Sequence, residues 1–222
     1  MKLVIKTFNH ILELEENIVD IFVIENPGIM SEIIMNTINN VKSDTKLLLI
    51  EDDGEEIPCS KYEFITSPFI ISLNSKKLIG TALKEIEDCI CENYYDKFQE
   101  INTEIVNLLD QVILGLPYDI SFECIKDIKD IVKICDIAFE EKQLNLLEKI
   151  TEYIKLESKL FKLKCIIFIN LHDFLDRDEI CLLYKEAFYQ KLQIILIESR
   201  ETEKNSCERV HIIDQSQCII EY

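Results

Sequence analysis

The sequence has 222 residues, 48% of them hydrophobic, which is enough for one well-packed domain with or without an insertion. Its net charge of −18, from 24 Lys and Arg against 42 Asp and Glu, disfavours polyanion binding except where basic residues cluster. Four glycines and four prolines are too few for a turn-rich all-β fold. No apolar stretch reaches the roughly 18 residues of a membrane span, and no secretory leader is recognisable, so we expect a cytoplasmic protein without membrane association.

The amino-terminal third has the apolar pattern of strands around one helix. A continuous apolar run, such as the one at 18–24, is typical of a strand that is covered on both faces. The pattern predicts strands at 3–5, 11–14, 18–24 and 46–50, a helix at 29–41, and a weaker strand pair at 62–65 and 69–73. The third strand, the helix and the fourth strand would then form a right-handed β-α-β crossover.

From residue 76 the apolar residues recur at three- and four-residue spacing, which predicts helices. The remaining elements are predicted as helices at 76–114, 121–138, 143–161 and 178–190, strands at 165–170 and 192–197, and a final hairpin of 209–213 with 217–221. We therefore predict an α/β fold with a mainly parallel sheet. Its discontinuous head domain comprises residues 1–75 and 164–222, and an all-α leg domain, residues 76–163, is inserted into it.

The nine cysteines form neither a metal-binding nor a disulfide motif. Their one close pair, Cys89 and Cys91, has C-x-C spacing and no histidine partner. We expect buried free thiols in a reducing compartment, with a structural zinc site as the alternative.

The turn after the strand at 18–24 has the position of a phosphate-binding loop. Such a loop needs glycines, a lysine for the outer phosphates, and a Ser or Thr for magnesium. Residues 25–32 contain one glycine, no lysine, and Pro27, which lacks an N–H donor; only Ser31 fits. We therefore predict no catalytic residues and no bound nucleotide. The alternative is a divergent nucleotide-dependent enzyme that uses Ser31 and Asp173.

Lysines recur at helical spacing inside the acidic helical block. The candidates for contact with nucleic acid are Lys126, Lys129 and Lys133 on one predicted helix and Lys149, Lys155, Lys159 and Lys162 on the next. Lysine rows without aromatic neighbours suit sequence-independent phosphate contact. The alternative is that they pair with acids on solvated helix faces, as Glu152 with Lys155 or Asp130 with Lys133.

Several stretches together resemble the Csn2 family of CRISPR-associated adaptation proteins from type II-A systems. They are, in chain order, IFVIENPGIMSEII, KLKCIIFINLHDFLDRDEI and LQIILIESRE, with the helical block between the first two. The most specific features are Asn170 at the end of a strand, followed by Phe174-Leu175 and Asp178-Glu179, and the sequence Glu198-Ser199-Arg200-Glu201 after the next strand.

The resemblance implies a degenerate P-loop-like head, a helical leg and a homotetrameric ring without catalytic activity. Such rings bind double-stranded DNA, chiefly at ends, inside a hole lined with lysines. The implied role is spacer acquisition, beside the CRISPR integrase complex and the CRISPR nuclease. The alternative from another class is a scaffold whose acidic surface docks other CRISPR proteins without contacting DNA.

The resemblance also implies calcium ions held by carboxylates near the start of the helix predicted at 121–138. Asp119, Glu123 and Asp127 lie in that part of the sequence. Calcium takes six to eight oxygen ligands, so carbonyls, water or a neighbouring subunit would have to complete each site. The alternative is that these acids are simply favoured by the helix dipole.

Overall fold

A computed structural model describes residues 1–5, 10–38, 47–123, 127–215 and 219–221. The chain divides into two units: unit 1 comprises Met1–Leu73 with Glu141–Tyr222, and unit 2 is Asn74–Glu140. Unit 2 ends at Glu140, whereas the predicted second boundary follows residue 163. The helix predicted at 143–161 lies in unit 1, where it packs on another helix of that unit.

The main sheet of unit 1 has six strands. In spatial order they are β5 (Tyr62–Ile65), β6 (Cys165–Ile169), β7 (Gln193–Glu198), β3 (Val19–Ile24), β8 (Glu208–Ile213) and β9 (Ile219–Glu221). The first five are parallel, and β9 pairs antiparallel with β8 as the predicted terminal hairpin. Every residue of β3 and of β6 is buried, as their unbroken apolar sequences predict. The fold is mixed α/β.

A second, antiparallel sheet consists of β2 (His10–Glu13), β1 (Lys2–Ile5) and β4 (Leu47–Ile50), in that spatial order. The predicted β-α-β crossover is wrong, because β4 pairs with β1 and not within the parallel sheet. The burial pattern explains the difference: Leu49 is buried, whereas Leu48 and Ile50 are only half-buried. A strand with one buried face suits an antiparallel sheet, while the parallel sheet takes strands that are buried on both faces.

Three helices of unit 1 cover its sheets: α1 (Pro27–Ile38), α5 (Leu146–Phe161) and α6 (Arg177–Tyr189). One core cluster joins Phe22, Ile195 and Ile197 of the main sheet with Ile33 of α1 and Leu3 of the small sheet. Helix α5 packs on α6, which packs on β7. Each fully buried Ile or Leu in these layers contributes about 1.5–3 kcal/mol relative to exposure.

A 3-10 turn, Pro68–Ile70, stands where part of the second weak strand was predicted. The strand at 69–73 is therefore wrong. Pro68 cannot donate a backbone hydrogen bond to a sheet, and Ile71 donates back to the Pro68 carbonyl at 3.4 Å, which closes the turn.

Unit 2 contains α2 (Lys76–Asn93), α3 (Tyr95–Leu114) and α4 (Ile128–Ile134). The helical stretch predicted at 76–114 consists of two helices, because it is interrupted at Tyr94, whose φ of −133° is not helical. The helix predicted at 121–138 is much shorter, because Asp127 caps its first turn and residues 121–123 are not helical. A small core of Phe98, Ile128 and Val132 holds the unit together.

The expected burial of the cysteines is wrong. Of the seven that the structure describes, all are free thiols and only Cys165 is buried. Four are exposed: Cys59, Cys89, Cys91 and Cys135. Cys89 and Cys91 are exposed because α2 belongs to the small-cored unit 2, which buries few side chains. Among the described helices, none is long and apolar enough to cross a membrane.

Gly80 lies within α2, and a Cβ atom built on it would meet nothing within 4 Å. We expect Gly80→Ala to raise the free energy of unfolding by about 0.5–1 kcal/mol, because alanine loses less backbone entropy in a helix. Urea denaturation measures the change. Gly54 is the matched control: at a φ of +94° an alanine is strained, so Gly54→Ala should destabilise. A loss of stability in Gly80→Ala would contradict the prediction.

Candidate functional site

The corner between β3 and α1 has no open phosphate-binding loop. Only Glu25 and Asn26 separate the strand from the helix, which begins at Pro27. The side-chain oxygen of Asn26 accepts hydrogen bonds from the N–H groups of Gly28 (2.9 Å) and Ile29 (3.3 Å), and its carbonyl accepts from Met30. The N–H groups that would contact a phosphate are thus already bonded within the chain.

The two residues of the alternative catalytic interpretation are in ordinary surroundings. Ser31 is exposed on the first turns of α1. Asp173 follows β6 in a 3-10 turn, and its carboxylate is ion-paired with Arg200. That pairing neutralises the charge on which a magnesium ligand would rely.

The lysines of α5 fall into two groups. Lys149 pairs with Glu141 at 2.6 Å and Lys155 with Glu152 at 2.8 Å, so the expected pairing of Glu152 with Lys155 is confirmed. Lys159 and Lys162 are exposed, and neither forms an ion pair within the described part of the chain.

The predicted row of Lys155, Lys159 and Lys162 on one helix face is wrong at its last member. Helix α5 ends at Phe161, and Lys162 is its cap, with a left-handed φ of 53°. Its side chain therefore starts beyond the helix instead of one turn along the same face.

On α4, Lys129 pairs with Glu87 of α2 at 3.3 Å and Lys133 pairs with Asp130 at 3.8 Å, as the pairing alternative predicts for Asp130. The hydrogen bond and charge of Glu87 raise the pKa of Lys129. Lys126, the third member of the predicted row, lies outside the described residues.

Lys129 and Lys133 line a cleft of about 530 Å³ between α2 and α4. A third lysine, Lys84, also lines this cleft. Sequence spacing did not place it with the other two, because it belongs to a different helix. The cleft thus gathers three ammonium groups, although Glu87 and Asp88 line it as well.

The predicted calcium ligands are not gathered into a cluster of three side chains among the described residues. Asp119 and Glu123 are exposed between α3 and α4, and Asp127 accepts a hydrogen bond from the Lys129 N–H at 3.1 Å as the cap of α4. The described ranges contain no group of three or more His, Cys, Asp or Glu side chains that could hold a metal. Asp127 directly precedes α4, which starts at Ile128.

A buried polar centre that the sequence did not predict lies in unit 1. We define it as His172, Glu198, Glu208, Tyr184 and Asn205. The His172 imidazole lies 2.9 Å from Glu198 through Nδ1 and 3.5 Å from Glu208 through Nε2. Tyr184 donates to Glu208 at 2.8 Å, and the Asn205 backbone donates to Glu208 at 2.6 Å.

The charges in this centre are set by its burial and its partners. Burial alone would lower the pKa of His172, but its hydrogen bond with Glu198 and its ion pair with Glu208 outweigh burial and raise the pKa to about 9. Burial opposes ionisation of Glu208, yet the His172 imidazolium and hydrogen bonds from Asn205 and Tyr184 keep its pKa below the usual value. The raised pKa favours the protonated imidazole at neutral pH, which is the form opposite to that of a general base.

A second buried charge links three strands. Asp20 of β3 accepts from Arg209 at 2.7 Å and from His211 at 3.0 Å, both on β8. Arg209 also donates to Glu15 and to the Glu13 carbonyl of β2. A charged residue inside the apolar run IVDIFVI was the sequence signal for this pairing, because a buried carboxylate requires a partner. The arrangement is structural, since the Arg209 guanidinium compensates the carboxylate.

The family model described as "CRISPR-associated protein (Cas_Csn2)" matches residues 40–217, four fifths of the chain. Comparison with curated proteins gives no match. The matched residues include the buried polar centre, both candidate lysine groups and all of unit 2, and they begin after the β3–α1 corner. The resemblance drawn from the sequence is thereby confirmed: the chain belongs to the Csn2 family of CRISPR-associated proteins, which act in CRISPR adaptation.

Proposed function

We propose that this protein is a non-catalytic adaptation protein that binds double-stranded DNA, preferentially at ends, through lysines lining a homotetrameric ring. Membership of the Csn2 family over residues 40–217 carries the proposal. In it, unit 1 is a degenerate P-loop-like head and unit 2 is the main part of the leg. DNA, the CRISPR integrase complex and the CRISPR nuclease are the partners.

The closed β3–α1 corner supports the absence of catalysis. Phosphoryl transfer requires donors that hold the phosphates and a cation that neutralises them. Here Asn26 occupies the helix N–H groups, and the corner contains no lysine. Elsewhere in unit 1, His172 is held in its protonated form and is not poised as a general base.

The lysines support a sequence-independent mode of binding. Lys159 and Lys162 are exposed and available to phosphates, and the paired lysines take part in surface ion pairs, which contribute about 0–1 kcal/mol. A paired lysine can therefore leave its carboxylate partner and bind a phosphate at a small cost in free energy. A chain of net charge −18 would hold DNA weakly by itself, and a ring would multiply the few available lysines.

An exposed apolar stripe on α3 supports self-association. Ile101, Leu108 and Val112 are exposed, and the half-buried Ile105 completes their i, i+4, i+7, i+11 spacing. A contiguous apolar face of this kind is typical of a protein–protein interface.

The DNA proposal is tested by gel shift with one duplex in linear and in covalently closed circular form. We expect the linear form to bind more tightly, and the affinity to fall steeply between about 50 and 200 mM salt, because lysine–phosphate contacts release counterions. Equal affinity for both forms would remove end preference. Binding that is absent, or insensitive to salt, would instead favour the scaffold interpretation.

The oligomer proposal is tested by light scattering of Leu108→Asp combined with Val112→Asp. Two carboxylates in the stripe should lower the mass below that of a tetramer, because charge burial opposes association. Leu182→Asp, at a similarly exposed leucine of α6, is the matched control and should leave the mass unchanged. An unchanged mass in the stripe variant would exclude this face as the interface.

Calcium enters the proposal as an ion shared between subunits, because the described residues contain no group of three or more His, Cys, Asp or Glu side chains that could hold a metal. Asp119, Glu123 and Asp127 are all exposed, and Asp127 also caps α4. In that case chelator should lower the oligomer mass of the natural sequence. Asp119→Asn with Glu123→Gln should make the mass independent of chelator. A mass that chelator leaves unchanged in the natural sequence would remove calcium from the proposal.

A further inference from the structure

Three large apolar side chains of unit 1 form an exposed surface that we call the aromatic patch: Phe69, Ile70 and Phe174. Their exposed fractions are 62%, 70% and 42%. Phe69 and Phe174 meet edge to face with ring centroids 4.9 Å apart. The patch lies in the connections that follow β5 and β6, neighbouring strands of the main sheet, so the topology brings together two segments that are far apart in the sequence.

The backbone beneath the patch is held in place. Pro68 and Ile71 flank Phe69 and Ile70, while Leu171 and Leu175 flank Phe174, and all four flanking residues are buried. Two tight turns fix the segments, with Ile71 N–H donating to Pro68 and Phe174 N–H to Leu171. The aromatic patch is thus presented by a rigid support, and a partner would lose little conformational entropy of the protein on binding.

The segments next to the patch are acidic. Residues 173–179 and 198–204 hold seven carboxylates against three Arg and Lys side chains. Glu198 is buried, and Asp173 and Glu203 are paired with arginines, which leaves Asp176, Asp178, Glu179 and Glu201. Asp173, next to Phe174, pairs with Arg200, and this ion pair ties the two segments together. The local excess of negative charge repels the phosphates of a nucleic acid, so base stacking on the phenylalanines is disfavoured.

We infer that the aromatic patch docks a basic segment of another protein, one that places an aliphatic or aromatic side chain between Lys or Arg residues. The apolar side chain packs against Phe69 and Phe174, while the flanking cations face Asp178 and Glu201. Charge complementarity of this type sets specificity and association rate, and the buried aromatic contact supplies most of the affinity. The surface is independent of the lysines proposed to contact DNA, so either proposal can fail alone.

The test uses the full chain and two fluorescein-labelled peptides, one of repeated Lys-Leu-Arg and one of repeated Lys-Ser-Arg. Fluorescence anisotropy should show tighter binding of the leucine peptide. Phe69→Ser combined with Phe174→Ser should weaken that binding by more than about tenfold, because aromatic anchors dominate such interfaces. Tyr189→Ser, at an exposed aromatic residue at the end of α6, is the matched control and should have no effect.

A second measurement does not depend on the folding of the variant. In the natural sequence, the leucine peptide should increase hydrogen-exchange protection of residues 68–71 and 171–175. Unchanged protection there, or equal affinity for the two peptides, would overturn the inference. A single-stranded thymidine oligonucleotide is the third probe, and the inference also fails if the Phe69 and Phe174 changes weaken its binding while leaving peptide binding intact.

Discussion

His172→Ala should lower the free energy of unfolding by about 3–5 kcal/mol. The imidazolium lies between Glu198 and Glu208, whose exposed fractions are 1% and 4%. Removing the cation leaves two buried carboxylates that contact no other cation of the described chain, and breaking a buried pair from one side has a cost of this size. Since the free energy of unfolding of a domain is about 5–15 kcal/mol, the variant loses a large part of its stability. Urea denaturation measures the loss.

Arg200→Ala is the matched control, because it removes a cation from an exposed pair. Arg200 pairs with Asp173 and is largely exposed, so its loss should change stability by no more than about 1 kcal/mol. If His172→Ala proves as mild as Arg200→Ala, then the two glutamates do not depend on His172 for charge compensation.

The same centre makes stability depend on pH, and the direction follows from the pKa shifts. The pKa of His172 is raised from 6.5 to about 9 in the folded chain, so its contribution is complete below 6.5 and is lost as pH rises through about 9. The pKa of Glu208 is lowered in the folded chain, so its contribution to stability is complete above its ordinary pKa of 4.5. That contribution is lost as the pH falls through the lower pKa of the folded state. The stability difference between the natural sequence and His172→Ala should therefore shrink from neutral pH towards pH ~10.

Replacing Lys159 and Lys162 together with Ala should weaken the proposed DNA binding more than a control change of equal charge. Both ammonium groups are exposed and form no ion pair within the described ranges, so they are available to phosphates. The slope of log affinity against log salt should fall in magnitude by about 0.9 for each phosphate that the variant no longer neutralises. Gel shifts with a linear duplex over a salt series give this slope.

Lys185→Ala with Lys191→Ala is the control with the same change of charge. Lys185 lies on α6 and Lys191 follows that helix, and both are exposed. If both double variants reduce the slope equally, the effect is one of net charge, and Lys159 and Lys162 are not specific contacts. The unfolding transition of both variants should match that of the natural sequence, since exposed lysines contribute little to stability.

Much of the fold was predictable because the central strands have unbroken apolar sequences. CIIFI of β6 and VDIFVI of β3 are buried at every position, and few structures other than a doubly covered strand accommodate such runs. The placement of β4 was not predictable, because a short apolar run does not specify its neighbour. In the same way, periodicity alone did not show that α2 and α3 are separate helices, since apolar spacing continues across Tyr94.

The site was harder to predict than the fold, because its contacts join distant parts of the chain. Glu198 at the end of LQIILIE and Asp20 within IVDIFVI are carboxylates in apolar runs, but their partners His172 and Arg209 could not be identified by spacing. The pairing of the lysines was predictable in part. Short-range pairs such as Asp130 with Lys133 followed from helix geometry, whereas the pairing of Lys129 with Glu87 depends on how two helices pack.

The position of β3 between β7 and β8 has a consequence for synthesis. The contacts of Asp20 with Arg209 and His211 join residues 189 and 191 positions apart. A ribosome adding about 5–20 residues per second needs about 10–40 seconds to make the intervening chain. Until β7 (Gln193–Glu198) is made, late in that interval, the apolar strand β3 has neither neighbour of its final sheet, whereas the helices of unit 2 find partners close in sequence. The nascent chain therefore exposes an aggregation-prone strand for most of its synthesis, and its folding efficiency should depend on the chaperones available to cover that strand.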